Sequence, residues 1–248
     1  MRQIAAKIKP AAGFSHFIHI VLTCLLPAIV FVAVRLNFVQ IAAAIILLSK
    51  WRMFAVKPRH WAANIRVNAV DLIFGIAVLI CMANIDSQML QLIWALIYGF
   101  WLLVIKPLDS VFGVALQALL SQALGLVALF IAWGNAPIAV LVIGTWIITY
   151  NCARHFFAVF EEGMSRYLGG VWAYFSAALV WISCHWLLFY GPVAQPALIL
   201  SVLGSGMGGI YFLEKTDRVS ILLRRQIIFI MIAIVIIVLT FSDWSGKL

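Results

Sequence analysis

Charge is what this sequence has least of. Of its 248 residues, 10% are Asp, Glu, Lys or Arg, while 66% are hydrophobic and the mean hydropathy is +1.13. A water-soluble domain carries about a quarter charged residues and about half apolar ones. So few charges cannot cover so much hydrocarbon in water, which excludes soluble, disordered and fibrous classes and leaves an integral membrane protein. Cysteine is scarce too. Cys24, Cys81, Cys152 and Cys184 form no CxxC pair, so a disulfide scaffold or zinc ribbon is excluded and the four read as small apolar residues. Signatures of the HExxH, GxSxG, Walker A and EF-hand types are missing. Long polar connections are missing as well. The longest, 50–66 and 154–170, are too short to build a core of their own, so no soluble catalytic or nucleotide-binding domain is expected.

Long apolar runs are abundant. Stretches near twenty residues match the ~30 Å hydrocarbon core as helices. Nine runs are found, at 14–34, 36–49, 67–84, 88–105, 110–133, 137–153, 171–190, 196–213 and 226–241. Pro58, Pro107, Gly134 with Pro137, and Gly191-Pro192 with Pro196 punctuate the connections. Pro27 alone falls within a run, where it removes one N–H from the helical ladder. The expected fold is an all-α, polytopic integral membrane helical bundle of about nine transmembrane helices, one domain over 1–248. Its second helix is short or re-entrant.

Orientation follows from where Lys and Arg fall. With the N-terminus cytoplasmic and the C-terminus outside, every one of the 17 cations except Arg35 and Lys247 lies on the cytoplasmic side. The net charge of +9 is then accounted for by insertion and anionic headgroups, and nucleic acid is not an expected partner. The N-terminal run is too long for a secretory h-region and reads as an uncleaved first span. A bacterial-type plasma membrane is the expected location. The 50–66 segment reads as a basic cytoplasmic loop, and 154–170 as an amphipathic interfacial segment.

Polar residues inside spans are the candidate site. Asp71 is the one carboxylate within a run, and ionisable groups in lipid are costly and often functional. His60, Asn64, Asn68 and Asp71 share a helical face, with Arg66 or Arg154 as expected partners for the carboxylate. Gln117 and Ser121 stand at i,i+4, as do Thr145 and Thr149. Should spans three, five and six meet, Asp71, Asn64, Asn68, Gln117, Ser121, Thr145 and Thr149 would line one inward-facing polar pocket. Gly204 to Gly209 formally matches GxGxxG without the strand such a motif needs. Ser201, Gly204, Ser205, Gly208 and Gly209 read instead as a small-residue ridge for close helix packing, within the chain or against a membrane-protein partner or second copy. His16, His19, His155 and His185 lack the opposed placement that haem ligation requires, and no cofactor or metal is expected. Trp101–Pro107 echoes Trp186–Pro192 at four positions.

Three functions fit these features. One is a transporter, permease or channel-like protein built around Asp71. The second is a membrane scaffold or subunit. The third is a lipid-handling enzyme at the cytoplasmic leaflet that uses His155, Glu161 and Glu162.

Overall fold

The computed structural model describes residues 14–160, 163–186 and 188–243. Glu161, Glu162, Lys247 and the cations before residue 14 lie outside them, and nothing is assigned to the side chains of His16 and His19.

The described chain is nearly all helical. Its helices are α1 (Phe14–Arg35), α2 (Val39–Leu48), α3 (Trp61–Ala83), α4 (Gln88–Phe100), α5 (Val111–Trp133), α6 (Ile138–Val159), α7 (Ser165–Ser183), α8 (Gln195–Lys215) and α9 (Ile221–Phe241). A π-turn, Trp101–Ile105, continues α4. Two short strands, β1 (Phe189–Tyr190) and β2 (Val193–Ala194), form a hairpin before α8. Among the described residues, six helices are long and apolar enough to cross a membrane: Pro58–Ala83, Gln88–Ile105, Val111–Trp133, Ser165–Trp186, Gln195–Lys215 and Ile221–Phe241. The chain is therefore an apolar helical bundle of membrane-spanning character. In lipid a helix satisfies every backbone group internally, which is why runs of Leu, Ile, Val and Phe take this form.

The breakers act where chemistry requires. Asn37 adopts a positive φ of 60° between α1 and α2, and its N–H bonds the Val34 carbonyl. Ser110 caps α5 by accepting from the Gly113 N–H at 3.0 Å. Ser220 caps α9 by accepting from the Leu223 N–H at 3.1 Å.

Packing divides the core. In the first half, Val30, Val34, Ile46, Phe74, Val78 and Trp101 are buried together between α1, α2, α3 and α4. In the second half, Leu126, Leu129, Leu141, Val180 and Leu200 join α5, α6, α7 and α8. α5 touches α3 on one side and α6 and α8 on the other. α9 packs on α8, where Met231 fills the space beside Gly206, and leaves nearly all its other side chains uncovered.

α2 is half a span. Ten helical residues rise about 15 Å, against a hydrocarbon core of about 30 Å. Ile46 touches Gly75 of α3, so α2 stops beside the middle of that longer helix. The 154–170 segment makes no helix of its own. Residues 154–159 are the last turns of α6, and 165–170 the first turns of α7. Phe156, Phe157 and Phe160 pack on Tyr211 of α8, which draws them into the bundle.

Candidate functional site

Asp71 lies midway along α3, and three side chains from elsewhere converge on it. Lys50, just past the end of α2, makes an ion pair and hydrogen bond with Oδ2. Lys106, just past the π-turn, reaches the same oxygen at 2.8 Å. The Trp101 indole N–H donates to Oδ1 at 2.9 Å. The side chains of Lys50 and Asp71 are 10% and 11% exposed and that of Lys106 is 41% exposed, so two of the three charges are nearly out of water. Two ammonium groups against one carboxylate leave an excess of one positive charge.

Local structure explains the convergence. Because α2 is short, Lys50 arrives level with Asp71 instead of beyond the end of α3. The π-turn widens the last stretch of α4, an irregularity often found at functional sites. Its Trp101 ring stacks on Phe74, with centroids 3.7 Å apart and planes 8° from parallel. That stack fixes the indole N–H toward the carboxylate. One turn along α3, Gly75 leaves room for the Tyr98 side chain. A Cβ there would lie 2.9 Å from Tyr98 Oη, which is buried without a hydrogen-bond partner.

The expected partners of Asp71 were Arg66 and Arg154. The structure gives Lys50 and Lys106 instead, because the halted α2 and the antiparallel α4 bring them closer. Arg154 turns toward its own helix and contacts the Tyr150 hydroxyl at 3.3 Å.

A cavity of about 1020 Å³ adjoins the cluster. Lys50, Lys106, Asn64 and Asn68 supply its polar wall, and α1 and the end of α2 supply an apolar one. Asn68 donates to the Asn64 carbonyl at 2.9 Å, and Asn64 to the Met53 carbonyl at 3.3 Å. Asn64 and Asn68 thus line the cavity directly, and Asp71 adjoins it through Lys50 and Lys106.

The other sequence candidates lie apart from that cavity. Gln117 donates to the Ile105 carbonyl at 2.8 Å and the Leu108 carbonyl at 3.2 Å, tying the end of the π-turn to α5. Its Oε1 lies 3.4 Å from His155 Nε2. It therefore positions the turn that carries Lys106. Ser121, Thr145 and Thr149 are fully buried in the α5–α6 region. Thr149 donates to the Thr145 carbonyl at 2.7 Å, while the Ser121 and Thr145 hydroxyls have no hydrogen-bond partner. Helices α3, α5 and α6 contact one another, yet these hydroxyls do not join Asp71.

The small-residue ridge is used inside the chain at two of its positions. A Cβ at Gly204 would lie 2.4 Å from Gln122 Nε2, and one at Gly208 would lie 3.2 Å from Leu119. Gln122 accepts from the Trp172 indole at 2.9 Å and donates to the Leu200 carbonyl at 3.4 Å, bridging α5, α7 and α8. Ser201 bonds the Ala197 carbonyl of its own helix, Ser205 is exposed, and Gly209 faces open space. The residues that sequence reasoning missed are Lys50, Lys106, Trp101 and Tyr98. From sequence Lys50 and Lys106 read as cations at the ends of spans, and only their distance from Asp71 marks them.

Among the described residues, no group of three His, Cys, Asp or Glu is placed to hold a metal ion. No known protein family matches the chain, and neither the curated proteins nor the solved structures contain a match. What the architecture establishes is a helical apolar bundle of a membrane protein.

Proposed function

We propose that the protein is a permease-like membrane carrier whose binding site is the cavity beside Asp71. One observation carries this reading: a buried carboxylate holds two lysines, with net positive charge, on the wall of a large cavity inside an apolar bundle. Such charges in lipid are costly and mark substrate paths. The halted α2 and the π-turned α4 both end there, and helix irregularities of the π type are frequent at functional sites. Helix ends read to the same side of the membrane lie together, which suits a cavity toward the cytoplasmic side. Lys50 and Lys106, both assigned to that side, meet each other. Arg35, assigned outside, lies 3.4 Å from Gln91 in the first turn of α4, at the other end of the bundle. A bacterial-type plasma membrane is the location that suits this charge pattern.

Flux measurements test the reading. Proteoliposomes loaded with a mixture of small carboxylates, phosphates, zwitterions and single-chain anionic amphiphiles are sampled outside by mass spectrometry. The expected result is release of one chemical class above protein-free liposomes, abolished in Asp71→Asn protein that still inserts. Release no faster than from empty liposomes, or equal release by Asp71→Asn, overturns it.

A further inference from the structure

The cavity beside Asp71 is two-faced, and each face restricts what it can hold. Lys50 and Lys106 both bond the same oxygen, so their ammonium groups lie within roughly 6 Å of each other, two hydrogen-bond lengths of about 3 Å. An ammonium has three N–H donors. Asp71 Oδ2 takes one from each, and donors remain on both for a second anion. That anion would also neutralise the excess positive charge, which the nearly buried Lys50 makes costly to leave alone.

The rest of the lining is mostly hydrocarbon: Leu22, Leu25, Leu26 and Ile29 of α1 and Ile45 and Leu48 of α2, with the hydroxyls of Thr23 and Ser49 among them. From Leu22 to Ile29 the apolar strip runs about 10 Å along the helix. Leu22, Leu25, Ile29 and Leu48 line the cavity and also lie on the molecular surface, so the cavity opens at the side of the bundle. Its volume of about 1020 Å³ matches the upper end of small-molecule sites, about 300–1,000 Å³. A small soluble anion would satisfy the lysines but leave this wall against water.

We infer that the cavity takes an anionic amphiphile. Its phosphate or carboxylate sits on Lys50 and Lys106, and its hydrocarbon chain lies along α1 and enters sideways from the bilayer. This names the substrate class of the carrier reading and rests on the same cavity. The ligand is either a phospholipid of the surrounding leaflet or a free single-chain amphiphile, which share this chemistry.

Native mass spectrometry of the full chain released from maltoside micelles tests it. The probes are hexadecyl phosphate, hexadecanol and inorganic phosphate. One hexadecyl phosphate per chain is expected, with hexadecanol and inorganic phosphate each bound at least tenfold more weakly. Lys50→Gln with Lys106→Gln should lose at least tenfold in affinity for hexadecyl phosphate. The single Lys106→Gln variant, altered at a half-exposed side chain, should lose a smaller factor and guards against misfolding of the double variant. Equal binding of hexadecanol, or hexadecyl phosphate binding unchanged in both variants, overturns the inference. Dioleoyl phosphatidate is then added. One-for-one displacement assigns the site to a bilayer lipid, and failure to displace assigns it to a single-chain ligand; either supports the anion-plus-chain chemistry. Binding without flux leaves this inference standing and removes the carrier. Flux of a soluble solute without amphiphile binding does the reverse.

Discussion

The two halves of the bundle handle buried polarity in opposite ways. Around α3 and α4, polarity is ionic and shared between distant segments: Asp71 meets Lys50, Trp101 and Lys106. Between α5 and α8, polarity is neutral and mostly local. Thr149 and Ser201 bond carbonyls one turn back in their own helices, and Ser176 does the same to Trp172. The glutamines are the exceptions: Gln122 bridges three helices, Gln117 reaches the end of the π-turn, and Gln195 reaches Ser242. A hydroxyl that finds a carbonyl within its own helix needs nothing from its neighbours. A buried carboxylate has no such local solution, and the chain must bring cations to it. The first half therefore carries the cavity with a charged wall, and the second half brings its helices together at small residues such as Gly204 and Gly208.

Substitutions in each half should break that contrast to different degrees. The largest effect is expected for Asp71→Ala. Removing one member of a buried ion cluster costs about 3–5 kcal/mol, and the protein should unfold at clearly lower denaturant in micelles. A loss under about 1 kcal/mol would show that the lysines are already solvated without their carboxylate. Trp101→Phe retains a ring for stacking on Phe74 but deletes the N–H to Asp71 together with part of a buried ring system. A hydrogen bond to a charged group contributes about 1.5–3 kcal/mol, so equilibrium unfolding should show a loss at least in that range. In the second half, Gly204→Leu forces a side chain into the space of Gln122. Overpacking costs about 1–3 kcal/mol, and a cysteine pair bridging α5 and α8 should cross-link less readily. The smallest effect belongs to Thr145→Val, which replaces a buried hydroxyl that has no partner. Stability should stay within about 0.5 kcal/mol or rise, since a hydroxyl buried without a bond is unfavourable; a large loss would reveal a bond made in the membrane.

Helix positions were legible because apolar length and breakers act locally. All nine runs contain a helix, and Asp71 stood out as the lone carboxylate within them. Its partners were not legible. Arg66 is nearer in sequence than Lys106, but partnership depends on where α2 halts and how α4 widens. The repeat shows the same limit: Trp101 to Ile105 is a π-turn, whereas Phe189 and Tyr190 in the echoing stretch form a strand. Similar side chains took different backbones because their neighbours differ. Gln117, Ser121, Thr145 and Thr149 were misjoined to Asp71 because helical spacing identifies a shared face but not what that face meets.

By itself, the sequence determined that this chain forms apolar helices and roughly where along it they lie, since solvent and backbone impose those outcomes on each segment separately. Tertiary structure alone decided that Lys50 and Lys106 share one oxygen of Asp71 beside a hydrocarbon-walled cavity. The distance between charges depends on the relative depth of three helices, and depth is set by packing.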